Sequence, residues 1–295
     1  MEKDIKVDRK KKIINISLFI ILILLLIFLG YTCFKKFLLE EIEPETTNIS
    51  ENDDEDTQDK QEEEIEQDTI IEDTQTIQRP NSVQKYTEES PVIEGQQAYI
   101  VTPTDIYKDE PATIVIYSHG STGVITDDLS ETYMSELREF AIQFPPHNYI
   151  FAASNQHGQN WGNTISIQDM INMKEWITDN YPVKTKIYLI GFSMGGLPTM
   201  NYATTYPDTI SKIALLAPTI RSSEWDSERT KKLKGIDIKI WHGTADVNVP
   251  YSNSTYFLNK VSAYGVDIPL VRLEGKTHFD VDREYVQDII EFFNS

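Results

Sequence analysis

The chain has 295 residues, a formal net charge of −20, five histidines and a single cysteine. One cysteine excludes an internal disulfide framework, and the acidic balance, with no basic patch, argues against a nucleic-acid-binding protein. No Cys or His cluster has metal-ligand spacing, so neither a metal nor another cofactor is expected.

The first 12 residues form a basic tail containing Lys3, Lys6, Arg9, Lys10, Lys11 and Lys12. Residues 13–34 then run almost without polar side chains up to Lys35 and Lys36. At about 1.5 Å per residue such a helix is about 33 Å long, enough to cross a bilayer core, and the span is read as a membrane anchor. A cleaved signal peptide would have a shorter apolar run and a small-residue cleavage site, whereas the run here ends in Gly30-Tyr31-Thr32. Thr32 and Gly30 before Cys33 also depart from a lipoprotein cleavage site. The excess of Lys and Arg ahead of the span places the N-terminus in the cytoplasm and the remainder outside the cell membrane.

Residues 35–90 read as a linker. Between Glu40 and Arg79 there are 17 acidic residues against Lys60 and Arg79, a composition that repels itself and buries nothing. Most of the net charge sits there, so the acidity says little about a substrate.

From residue 91 to 295 short β-rich runs alternate with amphipathic segments. Strands are expected at 98–101, 113–118, 149–153, 186–190, 212–217, 236–242 and 269–274, and helices at 129–142, 165–180, 196–205, 252–263 and 281–293. That alternation predicts an α/β domain, a mostly parallel sheet flanked by helices, with ligands at the carboxyl ends of the strands.

Four loops at those ends carry candidate chemistry. The run ending at Ser118 leads into His119-Gly120-Ser121-Thr122-Gly123, and the run ending at Ala153 leads into a polar loop with His157, Asn160 and Trp161. Those three are candidates for substrate contact; the other reading is a loop stitched together by its own Asn and Gln side chains. The run Ile187-Tyr188-Leu189-Ile190 leads into Gly191-Phe192-Ser193-Met194-Gly195, a Gly-x-Ser-x-Gly nucleophile elbow. It predicts that side chains at the two glycines would clash, that the Ser193 hydroxyl stands at a strand tip, and that the Met194 N–H faces a developing oxyanion. Two later loops present Asp246 and His278.

Ser193, Asp246 and His278 therefore follow in chain order, each just past a strand. A serine hydroxyl needs a base to take its proton, and an imidazole needs an acceptor to fix its tautomer. His278 is the candidate base and Asp246 the candidate acceptor. Among the rivals, His119 and His242 are expected to hold turns and His147 to lie on the surface. Asp280 is too close in sequence to His278, and Asp237 stands at a strand start.

These motifs, over roughly residues 92–295, resemble the α/β-hydrolase family of serine hydrolases, and within it the carboxylesterases and the stand-alone hydrolases related to prolyl oligopeptidase. The resemblance implies a second oxyanion donor from the His119-Gly120 loop, at Ser121 with Gly120 the neighbouring candidate, and an acyl-enzyme on Ser193. The expected reaction is cleavage of an ester substrate, small or part of the cell envelope. A peptidase or acyltransferase would use the same residues, and a non-catalytic binding module would keep the fold without the chemistry. Residues 218–235 are too few for a large cap, so the pocket should be open; Trp225 there is read as a small flap or part of a surface helix.

Overall fold

The structure, a computed structural model, describes residues 86–106, 109–281 and 283–295. The basic tail, the span expected at 13–34 and nearly all of the acidic linker lie outside them; among the described residues no helix is long and apolar enough to cross a membrane.

The described residues form nine strands, β1 (Tyr86–Glu89), β2 (Val92–Ile93), β3 (Gln96–Pro103), β4 (Thr113–Ser118), β5 (Tyr149–Ser154), β6 (Ile187–Phe192), β7 (Ile210–Leu216), β8 (Asp237–Gly243) and β9 (Leu270–Leu273). In space they run β1-β3-β5-β4-β6-β7-β8-β9, with the short β2 paired to β3. Strands β4 to β9 are parallel, while β3 is antiparallel to both β1 and β5. The expected parallel sheet is present, with an antiparallel edge.

Why helices cover both faces follows from the strands themselves. In β4 the alternating side chains Ile114 and Ile116 join one core cluster, while Val115 and Tyr117 join the other. β7 divides in the same way, Ile213 and Leu215 against Ala214 and Leu216. A strand apolar on both sides must be covered on both sides. On the first face lie helices α2 (Thr164–Asn180), α3 (Gly196–Thr205) and α5 (Ser252–Ser262), through Met170, Met200 and Phe257; on the second lie α1 (Thr132–Ala141) and α6 (Val286–Asn294), through Met134, Phe140, Ile289 and Phe293. The buried Lys212 of β7 donates to Phe292 O (2.8 Å) and Ser295 O (2.7 Å), placing a cation at the carbonyl end of α6.

Three sequence expectations need correction. The domain starts before residue 91, because β1 lies within the stretch read as linker. Its acidic side chains are paired: Arg138 donates to Glu88 through Nε (2.7 Å) and Nη2 (2.8 Å), and the Tyr99 hydroxyl donates to Glu88 Oε2 (2.7 Å). Glu89 accepts from the Tyr181 hydroxyl. An edge strand tied by charge to β3 and α1 looks, by composition alone, like spacer. Two helices also start late. α1 begins at Thr132 because Asp128 holds a turn by accepting from the Ser130 N–H (2.9 Å) and hydroxyl (2.6 Å), and α6 begins at Val286, after a separate turn at Arg283–Tyr285.

Trp225 is neither flap nor surface. Only 1% exposed, it packs edge-on against Phe257 of α5 at 4.9 Å between ring centroids, with the Arg229 guanidinium 4.3 Å over its ring. The neighbouring Asp226 side chain caps the short helix α4 (Ser227–Lys231) by accepting from Arg229 N at 2.8 Å, which fixes the residue that stacks on Trp225.

Candidate active site

β6 and α3 meet in a turn that puts Ser193 at a backbone φ of +53°, in the left-handed region that side-chain-bearing residues rarely adopt. The surroundings demand both flanking glycines. A Cβ on Gly195 would lie 1.9 Å from Ser118 O at the end of β4, and one on Gly191 would lie 2.7 Å from the Thr199 hydroxyl and 2.8 Å from Gly195 O. The turn is thus wedged against β4, and Thr219 N–H donates to Ser193 O (2.8 Å) from the next strand's loop.

Asp246, in the loop after β8, and His278, in a single turn after β9, come to the same point. Ser193 Oγ lies 2.9 Å from His278 Nε2, and His278 Nδ1 lies 2.7 Å from Asp246 Oδ2. A carboxylate only accepts, so Nδ1 carries the proton and Nε2 is left with a lone pair facing the serine hydroxyl. Asp246 is held by more than His278. Its Oδ1 accepts from Asn248 N–H (2.9 Å) and Val249 N–H (2.8 Å), and its Oδ2 also lies 3.3 Å from His242 Nε2. The imidazole of His278 sits between Phe192 and Phe279, each with a ring centroid 5.1 Å away.

His242 shows why it is not the base. Its Nε2–H donates to Val249 O (2.8 Å), so its Nδ1 accepts from the Ser254 hydroxyl (2.7 Å), and both nitrogens are used. Burial holds its pKa below the ordinary histidine value, which keeps it neutral beside Asp246. His119 bridges Gly120 O (2.7 Å) and Asn155 O (3.0 Å), joining the two loops after β4 and β5. His147 is exposed, with Asn294 Nδ2 3.3 Å from its Nδ1. Asp280 accepts from both the N–H (2.7 Å) and hydroxyl (2.8 Å) of Thr277, which holds its carboxyl below the usual range, and Asp237 begins β8 at the opposite end of the sheet.

The loop after β4 folds over the serine: a Cβ on Gly120 would be only 3.4 Å from Ser193 Cβ. It is closed by Gly123 N–H donating to Gly120 O (3.1 Å), and Gly120 and Ser121 line the same cleft as Ser193. Met194 occupies the first turn of the segment Ser193–Gly195, where backbone N–H groups lack intrahelical acceptors. These are the three positions expected to supply oxyanion donors.

The three residues singled out for substrate contact part company. Trp161, 46% exposed, lines the cleft. His157 does not: its Nδ1 lies 2.7 Å from the buried Asp169 of α2, its backbone N–H donates to Gln96 Oε1 (2.9 Å), and its ring fastens the loop to the scaffold. Asn160 likewise stitches the loop, donating to Gln156 O (3.1 Å) and accepting from Gly162 N–H (2.9 Å). Sequence reasoning missed Phe192, Thr219 and Asn253, which also line the cleft. For Phe192 the signal was present as the central residue between Gly191 and Ser193; Thr219 and Asn253 carry none without the fold.

The cleft has a volume of about 320 Å³ and opens at the carboxyl ends of the parallel strands. Among the described residues no group of three or more His, Cys, Asp or Glu is arranged to hold a metal ion. What the arrangement can do is activate a hydroxyl as a nucleophile beside backbone donors, the requirement of acyl transfer.

Known proteins share these features to different depths. A family model of the α/β-hydrolase fold matches residues 131–239. Homoserine O-acetyltransferase of Corynebacterium glutamicum is 37% identical over 71 residues, 23% of this chain and 19% of that enzyme, and the enzyme of that name from Methanococcoides burtonii is 33% identical over 69 residues, 22% of this chain and 14% of that enzyme. The chain thus spans less than a fifth of the length of these relatives. Among solved structures, an esterase of Pyrococcus furiosus superimposes with a TM-score of 0.54 at 18% identity, over 72% of this chain and 92% of that one. An acylaminoacyl peptidase of Pyrococcus horikoshii does so with a TM-score of 0.55 at 12% identity, over 72% of this chain and 42% of that one. Strand order, elbow and matching family model agree, and the described domain has the α/β-hydrolase fold.

Proposed function

We propose that the protein is a serine hydrolase that cleaves short-chain carboxylic esters through an acyl-enzyme on Ser193, and that residues 13–34 anchor it in the cell membrane with this domain outside. The observation that carries the catalytic reading is the continuous chain from Ser193 Oγ to His278 (2.9 Å) to Asp246 (2.7 Å).

In the first half-reaction Ser193 Oγ attacks the ester carbonyl while His278 Nε2 takes its proton. The tetrahedral oxyanion is held by the N–H groups of Met194 and Ser121 or Gly120, each worth about 100- to 1000-fold in rate. As the alkoxide leaves, His278 returns the proton to it. Water, deprotonated by the same nitrogen, then splits the acyl-enzyme and releases the carboxylic acid. An ester is the least demanding substrate because an alkoxide departs more readily than an amine, which sets a peptidase behind.

Acyl transfer to another alcohol uses the same acyl-enzyme, and the stretch shared with homoserine O-acetyltransferases supports it as the second reading. The anchor rests on the sequence of residues 1–36, and a protease-accessibility assay on intact cells that left the C-terminal domain protected would overturn its orientation.

The full chain, solubilised in detergent, should hydrolyse p-nitrophenyl esters, with acetate and butyrate ahead of longer acyl chains, and Ser193→Ala should lose more than about 1000-fold in kcat. Hydrolysis undiminished in Ser193→Ala would overturn the assignment. A folded wild-type protein with no turnover of any ester or transfer to any alcohol would point to a binding module.

A further inference from the structure

Among the described residues, no Asp, Glu, Lys or Arg lines the cleft. The walls combine two exposed aromatic rings, Trp161 at 46% and Phe279 at 61%, with the neutral hydrogen-bonding side chains of Thr122, Thr219, Asn248 and Asn253. Two cations beside lining residues have partners of their own. Arg221 donates to Trp161 O (3.3 Å) and Glu224 (3.4 Å), and Lys276, two residues before His278, pairs with Glu284 (2.6 Å).

The chemistry fixes which wall meets the leaving group. His278 must hand its proton to the departing oxygen, so the alcohol half of the ester lies on the His278 flank. Phe279 follows His278 directly and meets its ring edge-on. Asn248, two residues past Asp246, spends its backbone N–H on Asp246 Oδ1 (2.9 Å), and this exposed residue lines the cleft. The departing alcohol therefore meets an aromatic face and an amide, with no partner for an ionic charge.

A charged substrate would enter at a loss, because an ammonium or carboxylate taken from water needs an ion or several hydrogen bonds in return. Homoserine carries one of each. A neutral ring with an apolar C–H face and hydroxyls around its edge satisfies both an aromatic face and a carboxamide. At about 320 Å³ the cleft is at the small end of ligand sites, which leaves little room for a long acyl chain beside such a ring.

We propose that the substrate is a short-chain ester, acetyl in size, of a neutral polyhydroxylated alcohol such as a sugar, recognised on the leaving-group side by Phe279 and Asn248. The proposal rests on the serine-hydrolase reading and names its substrate class. In the reaction the acetyl C–O bond to the sugar oxygen breaks, the sugar leaves as a free hydroxyl with the proton from His278, and water releases acetate from Ser193.

The test measures acetate release by the full chain from a mono-O-acetylated methyl glucoside, from methyl acetate and from O-acetylhomoserine. The expected order in kcat/KM is the glucoside ester at least about 10-fold above methyl acetate, with O-acetylhomoserine below both. Asn248→Ala and Phe279→Leu should each cut the ratio of glucoside ester to methyl acetate by about 3- to 10-fold, chiefly through KM. Equal kcat/KM for the glucoside ester and methyl acetate, or ratios untouched by both variants, would overturn the proposal while leaving the hydrolase reading intact. O-acetylhomoserine as the best substrate would overturn it in favour of a charged acceptor. No turnover of any ester together with no fluorophosphonate adduct on Ser193 would remove the hydrolase reading and this one with it.

Discussion

Asp246→Asn is the substitution whose outcome the geometry dictates most closely. Asp246 Oδ1 accepts from the N–H groups of Asn248 (2.9 Å) and Val249 (2.8 Å), while Oδ2 faces His278 Nδ1 (2.7 Å) and His242 Nε2 (3.3 Å). An asparagine has one oxygen, and two fixed backbone donors demand it. The amide NH2 is then turned toward His278, whose Nδ1 can face it only as an acceptor. The imidazole proton moves to Nε2, where it points at the Ser193 hydroxyl and can no longer remove a proton from it. Loss of the correct tautomer with geometry intact costs about 10⁴ in kcat, or about 5.4 kcal/mol of transition-state stabilisation. Steady-state hydrolysis of p-nitrophenyl acetate, with circular dichroism to check the fold, measures this directly. A loss below about 10-fold in a folded protein would refute the role of Asp246.

Gly195→Ala should abolish more than about 99% of activity, since its Cβ would fall 1.9 Å from Ser118 O and the elbow must shift; wild-type rates would contradict the wedged turn. Trp225→Ala should lower stability by about 3–5 kcal/mol in urea unfolding, through the cavity left beneath Phe257 and Arg229, and a loss under about 1 kcal/mol would mean the ring is not core. The bond from Arg138 holds the Glu88 carboxyl below its ordinary value of 4.5, so this group's stabilisation is complete above that pH and is lost as pH falls through the lowered folded value. Glu88→Gln should therefore show a smaller fall in Tm between pH 6 and 3 than wild type, and an equal fall would place the acid sensitivity elsewhere.

Much of this architecture is legible before folding because it repeats with the period of a strand. β4, β6 and β7 carry unbroken apolar runs at 114–117, 187–192 and 213–216, and a run of that kind ending in Gly-x-Ser-x-Gly belongs at a sheet centre. The triad residues could be picked out because each follows such a run. What escapes are features decided by partners far off in the chain. Glu88 reads as linker until Arg138 and Tyr99 are brought beside it, and Trp225 reads as surface until Arg229 covers it. In sequence His157 reads as a cleft residue or as part of a self-stitched loop, because its loop leaves the carboxyl end of β5. A buried acid on α2, 12 residues on, turns its ring away from the cleft, and only Trp161 of that loop reaches it.

The central claim is that Ser193 is a nucleophile activated by His278. Treating the full chain with a fluorophosphonate and locating the adduct by peptide mass spectrometry tests it most directly. The account predicts a single phosphonylated residue, Ser193, with labelling abolished in Ser193→Ala and strongly slowed in His278→Ala. A folded protein that takes no label at Ser193, or labels equally well without His278, would contradict it.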